Sequence, residues 1–415
     1  MNSKNSNNTK NTKKPDLKNI PIEVPTRITS KETGEVENAC VSATYFGFTI
    51  ENNPMVSKEN KEAADSIRKN NVFVHEEFPP LEEIIATLNI YTKSERMQKF
   101  KPAMIYYEGQ ARGSHKKKKK KAGETIINLH IIGTEKSIAE ATLIKIAHIL
   151  LSDEGHKDLL VDINNVGGKD EIQAYSRELT AYFRKLVNSM PASCRELFKE
   201  SPYAVMASKT KECAELREEA PSPVAFLADE DRKHFKEVIE FLESQEIEYM
   251  MNKDVIGDPF YSTHSVFKIT DTKKDNIVAV GSRYNLLAKK AGFKKEIPGA
   301  FITITLNKSK KVKRTKVPNL HDSKFYFIQL AFDAKLKSLY IIDELRKSDI
   351  PVFQSLSRDR ISTQLEVARS MKFPYILIMG QKEALDNTVI IRNASTHSQQ
   401  SVPIKDLVDH LKKLK

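Results

Sequence analysis

Residues 105–133 read IYYEGQARGSHKKKKKKAGETIINLHIIG. An apolar start leads to a lone arginine, Arg112, then to six consecutive lysines, Lys116–Lys121, and then to a second apolar run. This pattern predicts two strands joined by a strongly basic loop. Six ammonium groups cannot pack internally without buried partners, so we expect the loop to face either solvent or a phosphate-rich ligand.

Composition supports an anionic partner for the whole chain. Its 415 residues are 40% hydrophobic and 29% charged, which predicts a globular protein of two or three domains. The net charge of +12 favours a polyanion, with nucleic acid ahead of a membrane. No signal peptide or apolar run of membrane-spanning length is visible.

The cysteines predict neither a metal site nor a disulfide. Cys40, Cys194 and Cys213 are scattered, and none forms a CxxC pair. We therefore expect no zinc site, no disulfide framework and a reducing cytoplasm.

Changes in pattern along the chain predict its domains. Consecutive strand-like runs without helices between them favour an antiparallel sheet, interrupted by an almost wholly helical insertion. From residue 324, strand and helix signals alternate, which predicts a compact α/β domain with a mostly parallel or mixed sheet. A helix at 357–371 should be opened by a Ser or Asp cap. The predicted units are a disordered basic tail at 1–25, a core at 26–164 and 243–307, the insertion at 165–242, a basic linker at 308–322 and a C-terminal domain at 323–415.

The C-terminal ninety residues resemble the anticodon-binding domain of class IIa aminoacyl-tRNA synthetases, and histidyl-tRNA synthetase in particular. The phrase ILIMGQKEALDNTVIIRN at 376–393 carries much of this resemblance. Upstream, YFGFTIENNP at 45–54 resembles motif 1, 106–133 resembles motif 2, VGSRYNLLAKKAG at 280–292 resembles the segment before motif 3, and DPFYSTHSVFKI at 258–269 resembles the histidine signature. The resemblance implies an α/β fold with a class II antiparallel sheet, flanking helices and a separate anticodon-binding domain. It also implies a homodimer formed around Pro54.

Several motif residues depart from the family pattern. Arg112 of motif 2 is kept, but the acid that normally follows is absent from Ala111-Arg112-Gly113-Ser114. The pocket glutamine and glutamate of the family fall on Ile126 and His130. In the histidine signature only Tyr261 matches, since the arginine falls near Gly257, the aspartate on Phe260 and the second tyrosine on Ser262. Motif 3 ends Thr305-Leu306-Asn307-Lys308 in place of Gly-Leu-Glu-Arg.

The resemblance implies roles for individual residues. Arg112 is the candidate catalytic residue, and His130 and Tyr261 line the amino-acid pocket. ATP phosphates would be bound by Arg112, Arg283, Lys308, Lys116, Lys117 and Lys118. RNA would be bound by Lys119, Lys120 and Lys121 at the acceptor end, and by Arg358, Arg360, Gln364 and Arg392 at the anticodon stem.

Three functions are compatible with these residues. The first is a synthetase-like protein that binds tRNA or another RNA without activating histidine, because the loss of several phosphate and substrate contacts together should remove most of the rate. The second is a working class II ligase that uses ATP with Mg and has a diverged amino-acid pocket. The third is a regulatory subunit like the synthetase-like partner of ATP phosphoribosyltransferase, a family that typically lacks the C-terminal domain.

Overall fold

The computed structural model describes residues 35–69, 77–99, 102–110, 124–307, 314–316, 323–355 and 359–414. The predicted tail at 1–25 and most of the linker at 308–322 lie outside the described residues. The same is true of five groups predicted to bind phosphate or RNA, which are Arg112, Lys116–Lys118, Lys119–Lys121, Lys308 and Arg358. Their roles stay predictions.

The core begins with alternating short elements and then forms long strands. Prolines ahead of an apolar run predict the start of a helix, and this helix does begin at Leu81, with Pro80 at its N-cap. The elements, in chain order, are β1 (Glu35–Glu37), α1 (Asn38–Tyr45), β2 (Thr49–Ile50), α2 (Lys58–Arg68), α3 (Leu81–Lys93), α4 (Glu95–Lys99), β3 (Ala103–Gln110), β4 (Glu124–Ile132), α5 (Ile138–Asp153) and β5 (Leu159–Asn165).

A helical segment then precedes the remaining strands of the core. Its helices are α6 (Lys169–Leu186), α7 (Ala192–Glu200), α8 (Pro202–Ala207), α9 (Lys211–Glu218), a 3-10 turn (Pro223–Phe226) and α10 (Asp229–Ser244). The core is completed by β6 (Tyr249–Met251), β7 (Thr263–Asp271), β8 (Asn276–Arg283), α11 (Leu287–Lys290), β9 (Gly299–Asn307) and β10 (Arg314–Lys316).

The core sheet has eight strands in the order β2-β3-β4-β9-β8-β7-β5-β6. Its long strands are antiparallel, and the short strands β2 and β6 pair in parallel with β3 and β5. The two strands predicted around the basic loop are β3 and β4, with Ile105 opposite His130. The predicted fold class, α/β with a large antiparallel-type sheet and a second C-terminal sheet, is confirmed.

The two faces of this sheet are covered differently. Alternate residues of β4, Ile127, Leu129 and Ile131, pack under α5 and α10 in a large apolar core. The intervening residues, which include Asn128 and His130, face the opposite side, where α3 lies over part of the sheet. This second face is therefore the one that can hold a polar site.

The C-terminal domain has a five-stranded mixed sheet in the order β12-β11-β13-β14-β15, of which the first three strands are parallel. Its elements are β11 (Phe325–Gln329), α12 (Ala331–Lys347), β12 (Val352–Gln354), α13 (Ile361–Ser370), β13 (Tyr375–Met379), α14 (Gln381–Leu385), β14 (Thr388–Asn393), β15 (Gln399–Pro403) and α15 (Ile404–Leu414). The short elements α14 and β15 are not predicted by the sequence pattern. The expected Ser or Asp cap of α13 is wrong. Arg360 occupies the N-cap position, and its side chain makes no capping hydrogen bond.

The expectation of no disulfide is also wrong. Cys194 of α7 and Cys213 of α9 are joined, and both are fully buried in a satellite core of the helical segment. The two residues are 19 apart in sequence, so only tertiary packing brings them together. Among the helices that the structure describes, none is both long and apolar enough to cross a bilayer.

Removing this bond should destabilise the protein only under oxidising conditions. The double variant Cys194→Ala/Cys213→Ala should lose about 3 kcal/mol of unfolding free energy relative to wild type in non-reducing buffer, because a loop of this length is no longer closed in the unfolded chain. In a phosphine reductant the difference between the two proteins should largely disappear. Denaturant unfolding measures the free energy of each protein with and without reductant, and Cys40→Ala is the control. Three reactive thiols in denatured, unreduced wild type would contradict the assignment.

Candidate functional site

His130 lies at the centre of a closed cluster on the α3 side of the core sheet. Its Nε2 is 3.0 Å from the Tyr107 hydroxyl and its Nδ1 is 3.2 Å from the Tyr284 hydroxyl. The Tyr107 hydroxyl is also 3.1 Å from the hydroxyl of Thr87 on α3. Because His130 is fully buried, desolvation lowers its pKa to about 3, so the ring is neutral at physiological pH.

Aromatic rings close this cluster on its remaining sides. The Phe301 ring lies 5.7 Å from the His130 ring and 6.0 Å from the Tyr261 ring. The Tyr261 hydroxyl donates to the Pro79 carbonyl at 2.9 Å. The structure thus brings together the two predicted pocket residues, His130 and Tyr261, in one packed group whose residues are each at most 3% exposed.

A more open polar strip lies beside the ring cluster. Thr303 of β9 donates from its hydroxyl to the Asn128 side-chain oxygen at 2.8 Å. Gly109 of β3 is next to them, and a Cβ there would lie 3.5 Å from the Asn128 amide nitrogen. Ile126, on which the family's pocket glutamine falls, is half-buried on the same face, because it is opposite Gly109. This strip borders the end of β3.

Arg283, predicted to bind ATP phosphate, lies on the other face of the sheet. Its side chain is fully buried and donates to the Glu140 carboxylate from Nε at 2.6 Å and from Nη2 at 2.5 Å. The remaining donors reach the carbonyl oxygens of Thr134 and Lys136, at 2.9 and 2.8 Å. Phosphate binding by Arg283 stays a prediction, and it would require the guanidinium to leave this pair.

The Glu140 carboxylate is ionised within that network. Burial alone would raise its pKa, but the Arg283 guanidinium and a hydrogen bond with His234, 2.8 Å away, hold the pKa well below its usual range. A buried pair of this kind is costly to break, since one uncompensated charge would remain in the core.

The C-terminal domain has a second candidate site at the carboxyl ends of its parallel strands. Helices α12 and α13 cover opposite faces of the sheet, so the chain leaves β11 and β12 in opposite directions. Ligands of open α/β sheets bind in the crevice at such a switch point. The Gln329 side chain donates to the Gln354 amide oxygen at 2.7 Å, and its own buried oxygen has no hydrogen-bond partner among the described residues.

The predicted RNA-binding residues are divided between two ends of this sheet. Arg360 is exposed at the start of α13, next to the crevice. Gln364 is fully buried and donates to the Gln329 carbonyl at 3.2 Å. It therefore links α13 to the end of β11 and is not exposed to a ligand. Arg392 is opposite Ile376 at the start of β13, at the other end of the sheet. The structure therefore does not bring Arg392 together with Arg360.

Comparisons with known proteins match one domain family and several similar chains. Residues 325–414 match the family described as anticodon binding domain. The chain is 24% identical over 298 residues to a histidine–tRNA ligase of Ruthia magnifica, covering 70% of each chain. It is 25% identical over 282 residues to that of Aquifex aeolicus, covering 68% of this chain and 69% of the relative. A solved Staphylococcus aureus histidyl-tRNA synthetase is 15% identical, with a TM-score of 0.47 over 89% of this chain and 92% of that one.

Over about 70% of its length the chain is similar to these histidine–tRNA ligases. The sequence resemblance identified this family, but it missed the residues that complete the His130 cluster. Tyr284 was visible in the VGSRYN segment, and Tyr107 precedes the basic loop, yet their contacts with His130 span 154 and 23 residues. It also missed Asp258, whose carboxyl is buried beside Tyr261, so that desolvation raises its pKa to about 7.

The buried His130 should make the stability of this protein depend on pH. Its pKa is lowered on folding, so the unfolded state takes up the proton first as pH falls through about 6.5, and folding stability is lost on the acid side. Between pH 7 and pH 5 this group should remove about 2 kcal/mol from the unfolding free energy of wild type.

The variant His130→Gln can still hydrogen-bond but cannot titrate. Its unfolding free energy should therefore not fall by this amount between pH 7 and pH 5. Urea unfolding at the two pH values measures the difference. His410→Gln on α15 is the control and should retain the wild-type pH dependence. Equal pH dependence in wild type and His130→Gln would show that the ring is not buried in its neutral form.

Proposed function

We propose that this protein binds tRNA or a related RNA through its anticodon-binding domain and does not activate histidine by the route of the ligases it resembles. The proposal combines a scaffold that is retained with an amino-acid pocket that is not. Binding would be cytoplasmic, and the protein would act as a homodimer through the motif 1 region around Pro54.

RNA binding is supported by the family match, by charge and by the crevice. The match covers the whole C-terminal domain, and the curated relatives are named histidine–tRNA ligases. The net charge of +12 favours a phosphate-rich partner. At the crevice, Arg360 is exposed at the start of α13, where its guanidinium can reach an RNA phosphate.

The single observation that carries the loss of histidine activation is the neutral, fully buried His130. The resemblance places it where the family has a glutamate for the substrate's ammonium group. A neutral imidazole held by Tyr107 and Tyr284 offers no negative charge to that group. The surrounding rings also leave little room, because Tyr107, Tyr284, Phe301 and Tyr261 are all buried against one another.

One of the predicted phosphate ligands, Arg283, is paired with Glu140. If the protein is catalytic, ATP with Mg would depend on Arg112, Lys308 and the lysines Lys116–Lys118. This second function, a ligase with a diverged pocket, is separated from the first by experiment.

Two assays test the proposal. Purified full-length protein should bind labelled bulk tRNA with an affinity that falls steeply as salt rises, since phosphate contacts release counterions. In amino-acid-dependent pyrophosphate exchange it should show no activity above background with histidine or any other standard amino acid. Exchange with one amino acid would establish the ligase. Absence of salt-dependent tRNA binding at low ionic strength would refute the RNA-binding part.

A further inference from the structure

Two lysines meet between the core and the C-terminal domain. Lys136 precedes α5 in the core, and Lys335 lies on α12 of the C-terminal domain. Both ammonium groups bond to one carboxylate, that of Asp359, which precedes α13. The side chain of Lys335 is only 8% exposed, whereas that of Asp359 is 54% exposed. A buried cation is therefore neutralised by an anion that solvent can reach.

The lysine pair faces two carboxylates, those of Asp359 and Glu237. Burial and the neighbouring Lys136 ammonium lower the pKa of Lys335 to about 8, so the two cations repel each other while both remain charged at neutral pH. The other charged group facing them is Glu237 of α10, whose carboxylate accepts from the Ser137 hydroxyl at 2.7 Å. A phosphodiester carries a single negative charge, like the Asp359 carboxylate, so exchanging one for the other leaves the charge balance of the lysine pair unchanged.

The surroundings of Asp359 favour anions as well. It is followed by the exposed Arg360 and by the start of α13. That helix has no side-chain cap and no acidic residue in its first turn, so Asp359, directly before the N-cap, is the acidic residue nearest in sequence to its positive end. The crevice described above begins at the same helix start.

We propose that the Lys136–Lys335 pair is a binding site for an RNA backbone phosphate, and that Asp359 occupies it as an internal substitute until RNA arrives. The inference rests on the proposed RNA binding. The phosphate takes the place of the Asp359 carboxylate, which turns into solvent, and RNA on the C-terminal domain then contacts the core as well. Asp359 thereby lowers the affinity for short or poorly placed RNA.

The test compares charge variants of the full-length chain for binding to labelled bulk bacterial tRNA at pH 7, over a series of KCl concentrations. Asp359→Asn removes the competing carboxylate and should bind about fivefold more tightly than wild type, the effect of one unit charge near a surface pair. Asp406→Asn removes the same charge from the exposed part of α15 and should change affinity much less.

Variants of the lysines test the site itself. Lys335→Met and Lys136→Met should each weaken binding and reduce the slope of log affinity against log salt by about one. Lys405→Met on α15 is the matched control, and Asp359→Asn/Lys335→Met should lose the gain of Asp359→Asn. Thermal melts identify variants that fail to fold. If Lys335→Met fails to fold, the test relies on Lys136→Met.

Two results overturn the proposal in distinguishable ways. If wild type binds tRNA but Asp359→Asn binds no more tightly than Asp406→Asn, the carboxylate is structural and the phosphate site is wrong. If wild type shows no salt-dependent binding, the RNA-binding function itself fails, and this site fails with it.

Discussion

The buried ion pair between Arg283 and Glu140 is the constraint on which the rest of the core depends. Arg283 ends β8, and Glu140 lies in the first turn of α5, so the pair fixes the helix against the sheet. The same guanidinium holds the carbonyl of Lys136, and His234 ties α10 to the same carboxylate. Desolvation cancels much of the attraction within so deep a pair, so it fixes geometry more than it adds net stability.

That geometry divides the molecule into two working faces. On one side, α5 and α10 lie between the core sheet and α12 of the C-terminal domain, joined by contacts such as the Phe241 and Phe332 rings, 5.1 Å apart. On the other side, the sheet presents His130 and its aromatic partners. Arg283 and Tyr284 are consecutive. Arg283 bonds to the Lys136 carbonyl near the domain junction, and Tyr284 bonds to His130 in the ring cluster.

Local pattern predicted much of the fold because the relevant signals are local. The strands β3 and β4 follow from apolar runs on each side of the lysines, and α3 follows from its prolines and its apolar spacing. The pattern missed α14, which has only five residues, and β15, whose sequence QQSVP is polar. Neither has enough periodicity to be recognised without its neighbours.

The candidate sites were less predictable because their contacts are long-range. The sequence placed His130 and Arg283 in a ligand pocket through resemblance, yet their observed partners Tyr284 and Glu140 are 154 and 143 residues away. The alternation along β4 indicates which face His130 occupies, but no nearby residue specifies its partners there. The Cys194–Cys213 bond and the shared carboxylate of Asp359 arise in the same way, from packing between separate elements.

The central claim is that the histidine pocket of the family is filled here by the protein's own rings. Calorimetric titration of a non-hydrolysable histidyl-adenylate analogue into the purified protein tests it most directly, because the analogue occupies the amino-acid and nucleotide sites together. The account predicts no saturable heat at analogue concentrations well above those that saturate an active histidine–tRNA ligase run in parallel. Saturable one-to-one binding that weakens in a Tyr284→Phe variant would contradict it.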